Sequence, residues 1–303
     1  MEELLDQLET AIKEKDKEAL ISIIIDKVNN SNRVNLINGY KDTYNRDLFE
    51  DLSKNFKSDF LDLILGAFKT PLEYDVDILY TALDKFSSDK DVITEIVCFR
   101  SQKQIEKIKE KYQEKYGKDL IEDIKRKTSG DYQKIILNLL NFNRNQNSTP
   151  DLEQCDKIAE ELYKAGEGKI GTNEEVFINY FTTLSKEELL AVSKAYHSKY
   201  SKTMLDVLHN EFSGNEKKLL ESILYSFFSP SEYYAREIMD SIKGAGTNDA
   251  KLIRCIITRY NYDMKRIKKY FKRIYQKNML DEVKDDVSGS YGKLIEELIN
   301  KSD

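Results

Sequence analysis

Three short stretches decide how this chain is read: Thr-Ser-Gly-Asp-Tyr at 128–132, Phe-Ser-Gly-Asn-Glu at 212–216 and Val-Ser-Gly-Ser-Tyr at 287–291. Each belongs to a longer layout. Three residues before the glycines Gly130, Gly214 and Gly289 stand Lys127, Glu211 and Asp286. Eleven residues before those stand Tyr116, Tyr200 and Tyr275, each preceded at four residues by a second aromatic, Tyr112, Tyr196 or Phe271. The start of the chain repeats the layout with Tyr40, Tyr44, Asn55 and Ser58. Successive copies lie 72, 84 and 75 residues apart at the second aromatic. One pattern copied at a long, nearly fixed period signals a repeat architecture. Pro71, Pro150 and Pro230 cut the 303 residues into four near-equal quarters. The domain boundaries read 1–70, 71–149 (the second copy with its linker), 150–229 and 230–303.

The pattern inside each copy is helical. Ala235, Ile238, Met239 and Ile242 fall at i, i+3, i+4 and i+7, as one face of a helix requires, and Leu252, Ile253, Ile256 and Ile257 line a face of the next. Ser185 to Glu188 and Thr172 to Glu175 read as capping boxes, in which a hydroxyl accepts from the first free N–H groups and a glutamate reaches back. Only 12 glycines and 3 prolines occur, too few for a turn-rich β fold. The expectation is an all-α chain of four modules. The aromatic pairs read as core packing, with no chemistry of their own.

Composition excludes several classes. The longest apolar run, Leu20 to Ile25, is broken by Ser22 and is far short of the ~18 residues of a membrane-spanning helix. The acidic start, M-E-E-L-L-D-Q, lacks the basic and apolar regions of a signal peptide. Cys98, Cys155 and Cys255 are widely spaced, which argues against a disulfide framework or zinc finger and suits a reducing compartment. His197 and His209 are 12 residues apart, a poor spacing for a helical metal pair. A formal charge of −6 argues against a general electrostatic grip on nucleic acid or anionic lipid.

Eight of the 12 glycines sit at two recurring places. Three are in the Ser-Gly steps. Five are in the loops Gly166-Glu-Gly-Lys-Ile-Gly171 and Gly244-Ala-Gly246, between two predicted helices, with Thr172 or Thr247 expected to cap the second. The last glycine of each loop precedes an acid by 40 residues: Gly171 with Glu211, and Gly246 with Asp286. Glycine reaches positive φ, so successive carbonyls can turn toward one point. A hard cation such as calcium takes about six to eight oxygens, many of them carbonyls, with a carboxylate that often binds through both oxygens. Each loop alone reads first as an ordinary helix–turn–helix link. Two loops with an acid at one distance favour a cation site.

These residues resemble the annexin repeat. Lys-Gly-Ala-Gly-Thr at 243–247 with Asp286 is similar to the family's calcium motif, and Ala165 to Glu175 with Glu211 resembles the variant loop of annexin third repeats. The similarity covers about 4–68, 72–141, 151–228 and 231–300, and divergence in the first two repeats resembles the protist branch that includes alpha-giardins. The resemblance implies a curved disc of four repeats, each of about five helices, that binds acidic phospholipid reversibly when calcium bridges loop and phosphate. It further implies a cytoplasmic, non-enzymatic, peripheral membrane protein, monomeric in solution, with assembly on membranes and cytoskeletal partners as further expectations. Carried over by position, the fourth-repeat site would use the carbonyls of Ile242, Gly244 and Gly246 with the carboxylate of Asp286. The third would use the carbonyls of Gly166, Lys169 and Gly171 with Glu211. Weaker secondary sites would pair Thr247 with Asp249, and Thr172 with Glu174. Ile170 occupies the loop tip, where it either meets a bilayer interface or tucks into its own repeat.

The pattern fails in the first half. In Leu83 to Asp91, Lys85 and Ser87 stand where glycines belong, and Lys127 stands at the acid position. That site is expected to be dead to calcium, with Lys127 free to meet a phosphate directly. The first repeat lacks the glycines, is shortened, and has Asn55 at the acid position, although Glu14, Asp16 and Glu18 leave room for an unconventional site. Gly166 to Gly171 is formally G-x-G-x-x-G, but no strand precedes it, so a dinucleotide fingerprint is discounted. The basic run Met264 to Arg273 reads first as a solvated helix face and second as a surface for anionic lipid, acidic protein or nucleic acid. Glu95, Arg100 and Arg254 match family positions at the polar centre of the disc and read first as buried ion pairs and second as the remnant of an ion path. The rival to calcium-dependent lipid binding is a structural scaffold between cytoskeleton and membrane with little calcium dependence.

Overall fold

The computed structural model describes residues 1–142, 144–145, 149–244 and 246–301, and every regular element among them is an α-helix. Five occupy the first quarter: Glu2–Lys13, Lys17–Asp26, Arg33–Tyr44, Leu48–Asn55 and Ser58–Phe68. The second quarter holds Pro71–Asp84, Lys90–Phe99, Gln102–Tyr116, Leu120–Lys127 and Gly130–Leu140. The third holds Leu152–Ala165, Glu174–Thr183, Lys186–Tyr200, Met204–Glu211 and Gly214–Phe228. The fourth holds Pro230–Ile242, Asp249–Arg259, Met264–Tyr275, Met279–Asp286 and Gly289–Asn300. Pro71 and Pro230 are first helical residues, where a missing N–H costs nothing.

The same backbone irregularities recur in every quarter. The residue after the second aromatic (Asn45, Gly117, Ser201 or Gln276) ends the third helix in the left-handed region, with φ of 50, 65, 57 and 57°. Ser58, Gly130, Gly214 and Gly289 open the fifth helix with φ of 58, 65, 58 and 62°. A Cβ is strained there, which accounts for glycine in three of the four, and Ser58 carries a cost of about 1 kcal/mol.

The first aromatic of each pair is the centre of its quarter. Tyr40, Tyr112, Tyr196 and Phe271 are fully buried, with their partner rings 5.0, 5.5, 4.9 and 5.0 Å away. A buried phenol needs an acceptor. Tyr40 shares its one O–H proton between Glu9 at 2.5 Å and Asp51 at 3.0 Å, Tyr112 donates to Asp123 at 2.8 Å, and Tyr196 donates to Glu167 at 2.9 Å.

The helices gather into two compact units. One combines Met1–Tyr74 with Ser231–Asp303. Within it Gly66 lets Ile257 approach to within 3.0 Å of where a Cβ would stand, Arg33 donates to the Tyr260 hydroxyl at 3.0 Å, and Lys301 donates to the Val28 carbonyl at 3.2 Å. The other unit is Asp75–Pro230. Within it helix Lys90–Phe99 packs on Gly214–Phe228, with Lys218 paired to Asp91 at 3.2 Å. Arg100 grips Asp75 through two nitrogens at 2.7 Å with both side chains buried, the ion pair expected for that arginine. Glu95 and Arg254 are also buried.

Candidate metal sites

The loop between the first and second helices of each quarter is closed by one backbone bond of variable span. In the fourth quarter the Asn248 N–H donates to the Ser241 carbonyl at 2.7 Å, and in the third the Asn173 N–H donates to Ala165 at 2.7 Å. In the second quarter Asp89 donates to Ala82 at 3.0 Å. In the first, Asp16 donates to Ala11 at 2.9 Å, closing a loop two residues shorter than those of the second and fourth quarters. The shortening read from the sequence is thus a tighter turn. Asp16 caps the next helix through the Ala19 N–H, and Glu18 pairs with Lys293, so two of the three acids proposed for an unconventional site there are engaged.

The two glycine loops are built differently. Gly244 and Gly246 have φ of 113 and 104°, and Gly171 has φ of 79°, all in the region that glycine tolerates. Gly244, Gly246, Lys169 and Gly171 are exposed, and Ile242 is the half-buried last residue of its helix. The threonines are not caps, a correction to the reading above. Asn173 and Asn248 take the N-cap positions, so Thr172 to Glu175 forms no capping box, whereas Ser185 and Glu188 do form theirs. Each threonine hydroxyl instead donates to the distant acid. Thr172 reaches the Glu211 carboxylate at 2.5 Å, and Thr247 reaches the Asp286 carboxylate. An ionised carboxylate is the stronger acceptor and wins the hydroxyl proton. The same hydroxyls lie 3.4 and 3.2 Å from the acids' own backbone carbonyls.

The approach of Glu211 to its loop is tight at Gly166. A Cβ built there would stand 3.1 Å from the Glu211 carboxyl carbon, so only glycine lets the carboxylate lie against the loop. The Gly166 carbonyl accepts from Lys169 N–H at 3.0 Å, which folds the loop and leaves its second lone pair. Glu167 turns inward to Tyr196 and Lys202 and pins the loop to the core. This anchoring role for Tyr196 is one that the aromatic pattern alone did not reveal. Asp249 and Glu174 are each the first residue of the following helix, beside Thr247 and Thr172. Among the described residues no three acidic, histidine or cysteine side chains cluster as a metal site. The two loops offer a different donor set: carbonyls from glycine-bearing turns and one carboxylate each, the hard-oxygen chemistry that calcium accepts. A cleft of about 790 Å³ is lined by Asp286 and Asp249 together with Lys15, Lys17, Lys54 and Lys57.

The second quarter keeps the same frame with a different occupant. Ser88 donates to the Lys127 carbonyl at 3.0 Å, the counterpart of the threonine bonds. The Lys127 ammonium donates to the Lys85 carbonyl at 3.0 Å, so a side-chain cation satisfies a carbonyl of the loop. Ile170 is fully exposed at its loop tip, not tucked into its repeat. The basic run forms helix Met264–Tyr275, which buries Met264, Ile267 and Phe271 and exposes Lys265, Arg266, Lys269 and Lys272. Lys268 donates to the Ile299 carbonyl at 3.3 Å, and Arg273 pairs with Glu232 at 3.2 Å.

Helical repeats with backbone-lined loops and a remote carboxylate define a class of repeat protein, and comparison with known sequences names it. The annexin family profile matches residues 74–139, 157–223 and 233–298, more than half of the chain. Human annexin A7 is 31% identical over 280 residues, 92% of this chain and 57% of that protein, so the chain spans little more than half the length of this relative. A solved point mutant of annexin A8 with an intact N-terminus superimposes with a TM-score of 0.91 at 30% identity, over 98% of this chain and 94% of that one. A calcium-bound annexin (Sm)1 superimposes with a TM-score of 0.81 at 25% identity, over 98% and 89%. Solved giardins, at 18% and 14% identity, share the fold alone. The chain belongs to the annexin family, whose members are peripheral, calcium-dependent binders of acidic phospholipid. None of the described helices is long and apolar enough to cross a membrane.

Proposed function

We propose that this protein binds acidic phospholipid surfaces in a calcium-dependent way through the loops of its third and fourth quarters, each quarter being one annexin repeat. The observation that carries this reading is the duplicated geometry at Glu211 and Asp286, each held beside a glycine loop by a threonine hydroxyl. The carbonyls of Ile242, Gly244 and Gly246 with Asp286, and those of Gly166, Lys169 and Gly171 with Glu211, would hold the ions. Thr247 with Asp249, and Thr172 with Glu174, would hold weaker ones. Calcium, when bound, supplies positive charge and open coordination positions for phosphate oxygens. The chain supplies the rest: threonines orient the carboxylates, glycines free the carbonyls, and the lysines of the cleft beside Asp286 favour an anionic headgroup. Ile170 meets the bilayer interface, and the Lys127 ammonium, with donors to spare, meets a phosphate. The protein is a monomer in solution, binds the cytoplasmic face of membranes and assembles further there, without catalysis.

Sedimentation with phosphatidylserine vesicles, in calcium or chelator, tests this. Calcium-dependent pelleting is expected, and its loss in the double variant Glu211→Gln/Asp286→Asn. Absence of pelleting at millimolar calcium, or an unchanged double variant, overturns the reading. A second reading, a membrane–cytoskeleton scaffold, is favoured by the exposed basic face of Met264–Tyr275. Co-pelleting with polymerised actin or tubulin in chelator would support it, and its absence would remove it.

A further inference from the structure

Two large apolar side chains stand fully clear of the protein at loop tips: Ile170, at 104% relative exposure, and Phe86, at 107%. Both belong to the unit Asp75–Pro230. Their positions are equivalent. The hydroxyl that bonds back to position 127 or 211 belongs to Ser88 in one loop and Thr172 in the other. The exposed residue comes two places before that hydroxyl in each case. Lys85, Ser87 and Lys127 deny the Phe86 loop the donor set of a calcium site.

The loop nevertheless has a cation. Lys127 occupies the acid's position, and its ammonium donates to the Lys85 carbonyl at 3.0 Å, 42 residues away in sequence. Asp286 and Gly244 are separated by the same 42 residues. The ammonium therefore reaches the carbonyl that corresponds to one offered for calcium in the fourth quarter. Ser88 fixes the Lys127 backbone, and Asp89 closes the turn on Ala82 and pairs with the Lys85 side chain at 3.2 Å. Four contacts thus hold a loop that carries no glycine. The side chain they present is aromatic, next in sequence to Lys85, whose carbonyl receives the Lys127 ammonium. An aromatic with adjacent positive charge suits the headgroup layer of an anionic bilayer.

We infer that the second-quarter loop is a calcium-free bilayer anchor, in which the Lys127 ammonium braces the loop from within and Phe86 enters the interface of an acidic membrane. The inference rests on the membrane-binding reading above and adds a contact that needs no ion of its own. It gives the protein two kinds of attachment: ion-dependent loops in the third and fourth quarters, and a permanently braced one in the second.

The chain contains no tryptophan, so Phe86→Trp and Ile170→Trp each introduce a single indole reporter. The variants are mixed with phosphatidylserine–phosphatidylcholine vesicles in calcium, with and without lipids brominated near the headgroup. A blue shift and bromine quenching of the residue-86 reporter are expected. A shift at 170 with none at 86 overturns the inference and leaves the membrane-binding reading standing. Silence at both positions without pelleting defeats both. Phe86→Ser should weaken vesicle binding by roughly three- to tenfold, the effect of about half-burying one phenyl ring. Lys127→Gln in the Phe86→Trp background should reduce the quenching, and Lys127→Arg should restore it. Unchanged quenching in Lys127→Gln removes the bracing role. Circular dichroism of each variant separates these outcomes from misfolding.

Discussion

Replacing Gly166 with alanine removes no proposed ligand, yet it should disable the third-quarter site. The added methyl would stand 3.1 Å from the Glu211 carboxyl carbon, 3.2 Å from its Cγ and 3.3 Å from one carboxylate oxygen. Contacts between non-bonded carbon atoms are comfortable near 3.5–4.0 Å, so the carboxylate must retreat by about half an ångström. The retreat strains or breaks the 2.5 Å bond from Thr172. Overpacking of this kind costs about 1–3 kcal/mol. The carboxylate is half-buried and can swing outward, so a cost near the lower end, ~1 kcal/mol, falls on overall stability. A displaced ligand loses more. If calcium binding at that loop weakens by about 1.4 kcal/mol, its affinity drops about tenfold. Vesicle pelleting across a calcium titration should then show a higher midpoint for Gly166→Ala, with an unchanged far-ultraviolet circular dichroism spectrum. Gly117→Ala is the matched control: it has φ of 65°, nothing lies within 4 Å of its added methyl, and it caps a helix outside the loops. If Gly166→Ala binds like the parent while Glu211→Gln does not, the close approach is not what places the carboxylate. If both bind like the parent, Glu211 is not a ligand.

Three further outcomes are expected. Ser58→Gly should stabilise the protein by up to ~1 kcal/mol in urea melts, because it relieves a side chain held at φ of 58°. At Glu9 burial acts to raise the carboxyl pKa, but hydrogen bonds from Lys13, Tyr40 and Arg46 and the charge of Arg46 outweigh it, so the group stays below its ordinary 4.5. Its contribution is therefore present above that value and is lost as pH falls through the depressed one; Glu9→Gln should lower stability at neutral pH and narrow the gap from the parent in acid, as urea midpoints would show. Burial pushes the Cys98 thiol up to about 12, with Arg144 pulling modestly the other way, and Cys155 and Cys255 are buried. Iodoacetamide near pH 8 should label the native protein slowly and all three cysteines in guanidinium; rapid native labelling at Cys98 would contradict this.

Much of the fold was legible because duplicated sequence positions mark duplicated backbone events. Gly130, Gly214 and Gly289 recur because one φ recurs, and the paired aromatics recur because each quarter needs one filled centre. The acids at 211 and 286 were legible for a related reason: a fixed separation in sequence became a fixed separation in space. The threonines were misread because a hydroxyl before a helix has two acceptable uses. Only the tertiary structure sets a carboxylate close enough to outcompete the cap. The bond from Lys127 to Lys85 was not legible, because sequence shows a side chain's charge but not its direction and the bond spans 42 residues. Phe86 lay in a loop dismissed for its missing glycines, although its register with Ile170 was present in the sequence.

The unit made of Met1–Tyr74 and Ser231–Asp303 has a consequence for how the chain is made. Its two segments are separated by the whole of Asp75–Pro230, which forms a unit by itself. At synthesis rates of about 5–20 residues per second, the first segment waits roughly 8 to 30 s for its partner. During that interval the surface of Ser58–Phe68 that ends up against Ile257 is uncovered, while the middle segment already has every helix of its own unit. The middle unit is therefore expected to fold first on the ribosome. Helices made before Asp75–Pro230 should be protected after it, and be the ones most dependent on a chaperone.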